Sequence, residues 1–407
     1  MKKITCLFLI FVGLSVSAQI KVGRTDNDND LKLSTLPYYN FGKGVGLTSP
    51  DSIFQLNIRF RIQNRVTYYD NEDQDPAYDG QIRRLRLRFD GYVGNPKFLY
   101  AIQLSFAPGD TGEIREGENL NIIRDAVVYY RPNASWNISF GQTKLPGNRQ
   151  RVNSSGGLQL TDRSINNARF TIDRDFGFQV HHLNEYKEKF SYNFKGAIST
   201  GEGRNVTGNA DDGVALTGKA EIFPLGAFTK DGSYFEGDLM REKKPKLMFS
   251  GAYQQNNQAR RTGGQLGEDL FEQRTMKTLL LDAMFKYNGW AAMAAYMQRV
   301  TPKDPITVNP EDATDIQYVY TGHGFDYQLS YLFPSNYELI GRFSTLKPND
   351  EIFSLTPKQK EFSFGLTKYI WEHTFKLQGE LTYDILDYID GTQRNNWYVR
   401  FQVEMGI

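Results

Sequence analysis

The chain has 407 residues, with 48 Lys and Arg against 47 Asp and Glu, a formal net charge of +1. That balance excludes a polycation built to coat nucleic acid and an acidic disordered chain. Aromatic residues make up 14%, with 24 Tyr, 28 Phe and 37 Gly, a composition suited to β structure with many turns.

Residues 1–18 read as a secretory signal: Lys2 and Lys3, an apolar run from Ile4 to Val12, then Val16-Ser17-Ala18 as a small-residue cleavage site. Cys6 leaves with that segment, so the mature chain has no cysteine and no disulfide. Loss of Lys2 and Lys3 takes the formal charge from +1 to −1. Residues 19–50 are expected to form an N-terminal periplasmic segment, and 51–407 a barrel. No later run has ~18 consecutive apolar residues, so no transmembrane helix is predicted. The mean hydropathy of −0.53 does not exclude a membrane barrel, whose strands average a lipid face with a wet face.

Periodicity of two governs the rest of the chain. Phe54, Leu56, Ile58, Phe60 and Ile62 share one face, and Asn57, Arg59, Arg61, Gln63 and Arg65 the other. Next, Leu85, Leu87 and Phe89 oppose Arg84, Arg86, Arg88 and Asp90. A strand sorts these residues cleanly and a helix would scatter them. Further strands centre on Phe98–Phe106, a less cleanly sorted Ile122–Arg131, Trp136–Phe140, Phe176–Val180 and Phe190–Ile198. Then follow Leu216–Ile222, Leu247–Tyr253, Leu279–Tyr287, Trp290–Tyr296, Phe325–Phe333, Tyr337–Phe343, Phe362–Leu366, Phe375–Ile385 and Trp397–Ile407, about sixteen in all.

Connectors alternate in length. Short ones lie at Gly94, Arg131, Asn288, Pro334 and Trp371. Long polar ones span Tyr69–Gly80, Pro108–Leu120, Thr143–Phe170, Gly201–Gly213, Asn256–Arg274, Thr301–Gly322 and Lys347–Pro357. Tight periplasmic turns and long outer loops are the habit of a transmembrane antiparallel β-barrel. Strands of ~10 residues ending in Tyr, Trp and Phe fit a tilted crossing with interfacial girdles. An even strand count leaves both termini in the periplasm. One connector breaks the pattern: Leu225–Lys244 falls where a short turn belongs, yet is long.

Arg59, Arg61, Arg65, Arg84, Arg86 and Arg88 cannot face lipid, where each would cost ~2–4 kcal/mol near the midplane. They are expected to form a basic wall inside the barrel, with forked donors suited to phosphate or carboxylate. The stretch 143–170 adds Lys144, Arg149, Arg151, Arg163 and Arg169 against Asp162, and is expected to fold inward as a constriction. On the late strands, Asp326, Glu338, Glu361, Glu380 and Asp384, against Arg342 and Lys376, are expected to form an opposing acidic wall and so a transverse field.

Other signals are weak. Asp26, Asp28 and Asp30 open like a calcium loop, but Leu31 and Pro37 stand where Gly and Glu belong. Gly42, Gly44 and Gly46 lack the lysine-serine pair and helix of a phosphate loop. His181 and His182 point to opposite faces of one strand, against shared metal ligation. Asn133-Ala134-Ser135 reads as a turn, and no nucleophilic triad is evident. No catalytic residue, metal site or cofactor is expected.

FGKGVGLTSPDSIFQLNIRFRIQ at Phe41–Gln63, RRLRLRFDG at Arg83–Gly91, IIRDAVVYYRP at Ile122–Pro132, GQTKLP at Gly141–Pro146, TDRSINN at Thr161–Asn167 and RDFGFQV at Arg174–Val180 occur in this order. Together they resemble the phosphate-selective porin O and P family. The segment Leu225–Leu247 is similar to a long periplasmic turn in the family's Bacteroidetes-like members. Departures occur at Thr143, where the family has an aromatic, and at Gly147–Gln150, where Phe-Ser-Arg-Glu is frequent. The resemblance implies a sixteen-stranded, commonly trimeric barrel in the outer membrane of a Gram-negative bacterium, passing anions such as phosphate along arginines and lysines. Its partners would be outer-membrane lipid and small anions, not nucleic acid. Two other readings stay open: a barrel plugged by its loops without channel activity, and a soluble all-β protein using the arginine rows for polyanions.

Overall fold

The computed structural model describes residues 44–111, 121–206 and 213–407. The expected signal peptide, the start of the periplasmic segment and the aspartates at 26–30 lie outside the described residues.

A short strand β1 (Val45–Thr48) precedes the first hairpin, β2 (Phe54–Asn71) with β3 (Ala77–Val93). Then come β4 (Phe98–Ser105) with β5 (Ile123–Asn133), β6 (Trp136–Lys144) with β7 (Arg174–Asn184), and β8 (Ser191–Ser199) with β9 (Ala215–Phe223). After β10 (Lys246–Arg261), β11 (Asp269–Tyr287) and β12 (Trp290–Val300), a small ribbon of β13 (Ile306–Val308) and β14 (Ile316–Tyr318) interrupts the meander. It resumes with β15 (Gly322–Leu332), β16 (Tyr337–Pro348), β17 (Lys358–Trp371), β18 (Phe375–Asp387) and β19 (Gln393–Gly406).

All but β13 and β14 belong to one 17-stranded sheet. Sixteen of these strands close into an antiparallel barrel when β19 pairs with Arg61–Asn71 of β2. The seventeenth, β1, pairs with Gln55–Ile58 on the same edge of β2, below the end of β19. Closure removes the unpaired edge that a bilayer would not tolerate.

Alternation decides which face is which. Phe140, Phe178, Leu329, Phe364 and Phe401 point outward and are exposed, while Gln63, Ser139, Thr278, Gln378 and Glu404 on the opposite phase are buried. An apolar exterior over a polar interior inverts a soluble protein and fits lipid outside with a wet lumen inside. Aromatic residues sit at both strand ends: Trp136, Trp290, Tyr337 and Trp371 at one, and Tyr68 in contact with Tyr78 and Trp397 at the other.

The short turns carry the backbone such turns need. Asn288 and Gly289 have φ of 48° and 86°, the two left-handed residues of a tight hairpin. Two connectors expected to be long loops are largely strand. β2 runs to Asn71 and β3 starts at Ala77, while β10 and β11 reach Arg261 and Asp269. Alternation stops where lipid stops, but the backbone ladder continues because its polar groups still need partners.

Gly141, inside β6, has φ 127°, and an added Cβ would lie 2.3 Å from the Ala126 carbonyl oxygen. Gly141→Val is therefore expected to reduce the folded, heat-modifiable band on unheated gels, with the outward-facing Ile138→Val as the neutral control.

Candidate functional site

The interior is organised around the segment between β6 and β7. It leaves the wall at Leu145 and returns at Asp173, crossing the lumen between them. Its two ends pack inward: Leu145, Phe170 and Ile172 join Ala252, Leu280, Met297 and Leu346 from the inner faces of β10, β11, β12 and β16. Its middle is held by side chains from both sides. Arg61 donates to Ser154 Oγ at 3.1 Å and Ser155 Oγ at 2.6 Å, and Arg65 donates to the Thr161 carbonyl at 2.5 Å. From the far wall, Lys376 Nζ donates to the carbonyls of Gly156 and Leu158, and Gln378 Nε2 to those of Gln159 and Leu160. Ser164 caps the helical turn Ile165–Phe170 by accepting from Asn167 N.

The arginine rows of β2 and β3 face this segment. Arg59 and Arg88 share Asp90 at 2.9 and 3.0 Å, and Arg61 lies 3.7 Å from Glu404. Arg86 and Arg124 share Asp110 at 2.6 and 2.7 Å. Arg65, Arg83 and Arg84 converge on the single carboxylate of Asp162, at 2.9, 3.2 and 3.5 Å. Burial pushes the Asp162 carboxyl up, but the guanidinium groups of Arg83, Arg84 and Arg65 outweigh it and hold it well below the usual carboxylate range. Asp110 is likewise held low: burial opposes ionisation, while Arg86, Arg124 and Arg84 favour it.

Two backbone irregularities shape this wall. The ladder between β2 and β3 slips between Gln63 and Asn64, which pair with Arg84 and Ile82. Arg83 is the extra residue, so both arginines of the pair reach the lumen where strict alternation would send one to lipid. A second slip pairs Gln103 with Asp125 but Leu104 with Ile123, leaving Arg124 and Asp125 both buried inside. This accounts for the poor sorting of that strand in the sequence.

Above the crossing segment lies a cavity of about 640 Å³. Among the described residues, eleven cationic side chains line it against five carboxylates. Arg84, Arg86, Arg88, Lys144, Arg151 and Arg163 are among the cations, joined by Arg83, Arg124, Arg174, Arg204 and Arg400, which were not among the expected site residues. Arg124 and Arg174 stand near the starts of β5 and β7, and that position was the available signal. Arg59 and Arg61 line a second space on the other side of the crossing, with Arg86, Arg88, Gln103 and Ser154 common to both. Arginines of β2 and β3 thus line the space on either side of the crossing.

Two arginines of the crossing segment, Arg149 and Arg169, lie outside the cavity lining. Arg149 pairs with Glu221 on β9, away from the arginine rows, and Arg169 stacks on Tyr320. Arg151 pairs with Asp173, and Arg163 donates to the Gln150 and Asn153 carbonyls. Lys144 Nζ donates to the carbonyls of Val152 and Asn153, bracing the crossing segment at its root.

The acidic wall does not face open water as expected. Asp326 accepts from Ser164 and Asn166, both at 2.7 Å; Glu338 accepts from Gln159 and Tyr369; Glu380 accepts from the Thr161 backbone and hydroxyl. These three carboxylates seat the crossing segment, which brings unsatisfied donors to them. Glu361, paired with Arg342 at 3.2 Å, and Asp384 border the cavity.

The family model for phosphate-selective porin O and P matches residues 54–396. Among solved structures, the fold is similar to the outer membrane channel DcaP of Acinetobacter baumannii, with TM-score 0.55, 14% identity, and coverage of 89% of this chain and 100% of that one. It is also similar to Salmonella typhi OmpF in complex with daunomycin, with TM-score 0.54, 14% identity, and coverage of 89% and 100%. An anion-selective porin from Comamonas acidovorans has TM-score 0.50, 11% identity, and coverage of 86% and 100%. No curated protein sequence matches the chain.

Proposed function

Because the chain belongs to the phosphate-selective porin O and P family, we propose that its arginine-walled conduit passes small anions, inorganic phosphate included, in preference to cations. The protein is an outer-membrane porin through which small solutes diffuse passively. The observation that carries the anion preference is the excess of eleven cations over five carboxylates around the cavity. Guanidinium forks held by carboxylates and serines present fixed donors, so a passing anion can exchange hydration for protein contacts without a large rearrangement. The anion-selective character of the Comamonas acidovorans porin agrees with this reading. As part of the same proposal, the chain is exported with cleavage after Ala18, sits as a homotrimer, and has no catalytic role.

A planar-bilayer recording in a KCl gradient tests it. The expected reversal potential has the sign of anion preference, and added phosphate reduces the chloride current. A cation-preferring reversal potential overturns the proposal.

One observation favours a second reading. The space beyond the crossing segment, between Arg61, Arg88, His373 and Glu404, holds about 30 Å³, room for one or two waters. A barrel closed there would carry no current, so single-channel conductance separates a plugged barrel from an open one.

A further inference from the structure

The connection from β9 to β10, residues 224–245, stands where an even-stranded barrel has a short periplasmic turn. It does not hang into the periplasm. Tyr234, Phe235, Glu236, Asp238 and Leu239 are all buried, inside the barrel mouth. Four sets of contacts fix it there.

Lys286, on the inner face of β11, donates to the carbonyls of Gly232, Phe235 and Gly237 at 2.7, 2.8 and 2.6 Å, and its ammonium lies 4.7 Å from the Phe235 ring centre. Asp238 accepts from the backbone of Glu242 and of Gly289, and Glu242 in turn accepts from Thr229. Across the mouth, Leu239 packs on Leu332 and Tyr369, and Phe235 on His373. The tip reaches the crossing segment itself: Glu236 N donates to the Gly157 carbonyl at 3.0 Å, Gln159 N donates to Glu236 Oε2 at 2.9 Å, and Tyr234 packs on Val152.

The backbone accepts a cost to make this shape. Lys230 and Asp231 have φ of 47° and 56° in succession, a left-handed conformation that a Cβ disfavours. Such residues persist where surrounding contacts over-determine them. The segment is a built part of the interior.

Its position has a consequence for the pore. The turn and the crossing segment meet, and at this end of the barrel they cover Glu338, Lys286 and Tyr369. The space left at this end, about 30 Å³, is lined by Arg59, Arg61, Arg86 and Arg88. We propose that the turn 224–245 is a partition that narrows the conduit from the periplasmic side and confines passing solute to the arginine rows. It thereby sets both the size limit and the anion preference of the channel. This rests on the channel reading above.

The test replaces Thr229–Lys243 with a four-residue Asn-Gly-containing turn, and separately makes Lys286→Met, which removes the three carbonyl contacts at full chain length. Both proteins are checked for heat-modifiable migration and recorded in planar bilayers beside the wild type. The deletion is expected to raise single-channel conductance at least about twofold, because an unfilled sixteen-stranded barrel leaves a wide aqueous channel. It also lowers the anion/cation permeability ratio and admits larger uncharged sugars. Lys286→Met is expected to shift all three readouts in the same direction by less, and it carries the test where the deletion does not assemble. A conducting wild type with unchanged conductance and sugar limit in the variants overturns the partition alone. A silent wild type whose deletion variant conducts identifies the turn as a full plug and overturns the channel reading instead.

Discussion

Replacing Arg86 and Arg88 together with alanine is expected to lower the anion/cation permeability ratio by up to about thirtyfold while the barrel still assembles. The magnitude follows from Coulomb's law: a unit charge about 8 Å from a passing ion in a water-like dielectric is worth about 0.5 kcal/mol and two about 1 kcal/mol, with opposite sign for anion and cation, so the unscreened ratio moves by about 2 kcal/mol. Screening shrinks the effect as salt rises, so the measurement belongs at low ionic strength. Assembly is spared because neither loss strands a buried carboxylate. Asp90 keeps Arg59 at 2.9 Å, and Asp110 keeps Arg124 at 2.7 Å and Ser105 at 2.7 Å. Ser155 keeps Arg61 at 2.6 Å. Reversal potentials of wild type and variant in one gradient give the ratio, and unheated gel migration reports assembly. Lost assembly with unchanged selectivity would place these side chains outside the conduit.

The second large effect is expected at Asp162→Asn. One carboxylate there holds Arg65, Arg83 and Arg84, and its removal leaves three guanidinium groups facing one another. Breaking a largely buried charge cluster from one side costs on the order of 3 kcal/mol, because the remaining charges lose their compensation. The unheated barrel band should therefore be lost at a lower temperature, while the anion/cation ratio rises as a negative charge leaves the cavity. The opposite changes in stability and selectivity distinguish this variant from simple misfolding. The wild-type pH response follows from the same site. The folded-state pKa of Asp162 is lowered, so its contribution is complete above the unfolded value of about 3.9 and fades as pH falls through the folded value. Acidification from neutrality to about pH 5 should leave conductance and selectivity in place, since both states of the chain keep that carboxylate ionised there.

Much of this protein is legible from residue order. Phe54–Ile62 against Asn57–Arg65, and Leu85–Phe89 against Arg84–Asp90, each state a lipid face and a wet face without ambiguity, because a charge in hydrocarbon is costly. The same rule applied along the chain yields sixteen strands and their order. Strand ends were less legible. β2, β3, β10 and β11 outrun their apolar stretches, since hydrogen bonding does not require lipid.

What residue order determined, then, is the closed barrel and the inward direction of its arginines, both consequences of a local period of two. Tertiary structure decided the rest. Bulges at Arg83 and near Arg124 changed how many charges face the lumen, and a bulge leaves no mark in a one-dimensional pattern. Asp326, Glu338 and Glu380 read as a solvated acidic wall until the segment from Leu145 to Asp173 laid its hydroxyls and amides against them. The turn at 224–245 read as a long periplasmic turn, with nothing in its pattern to say that it folds into the barrel mouth. Whether a polar side chain meets water or another part of the chain depends on what crosses the lumen, and a crossing is a contact between residues far apart in sequence.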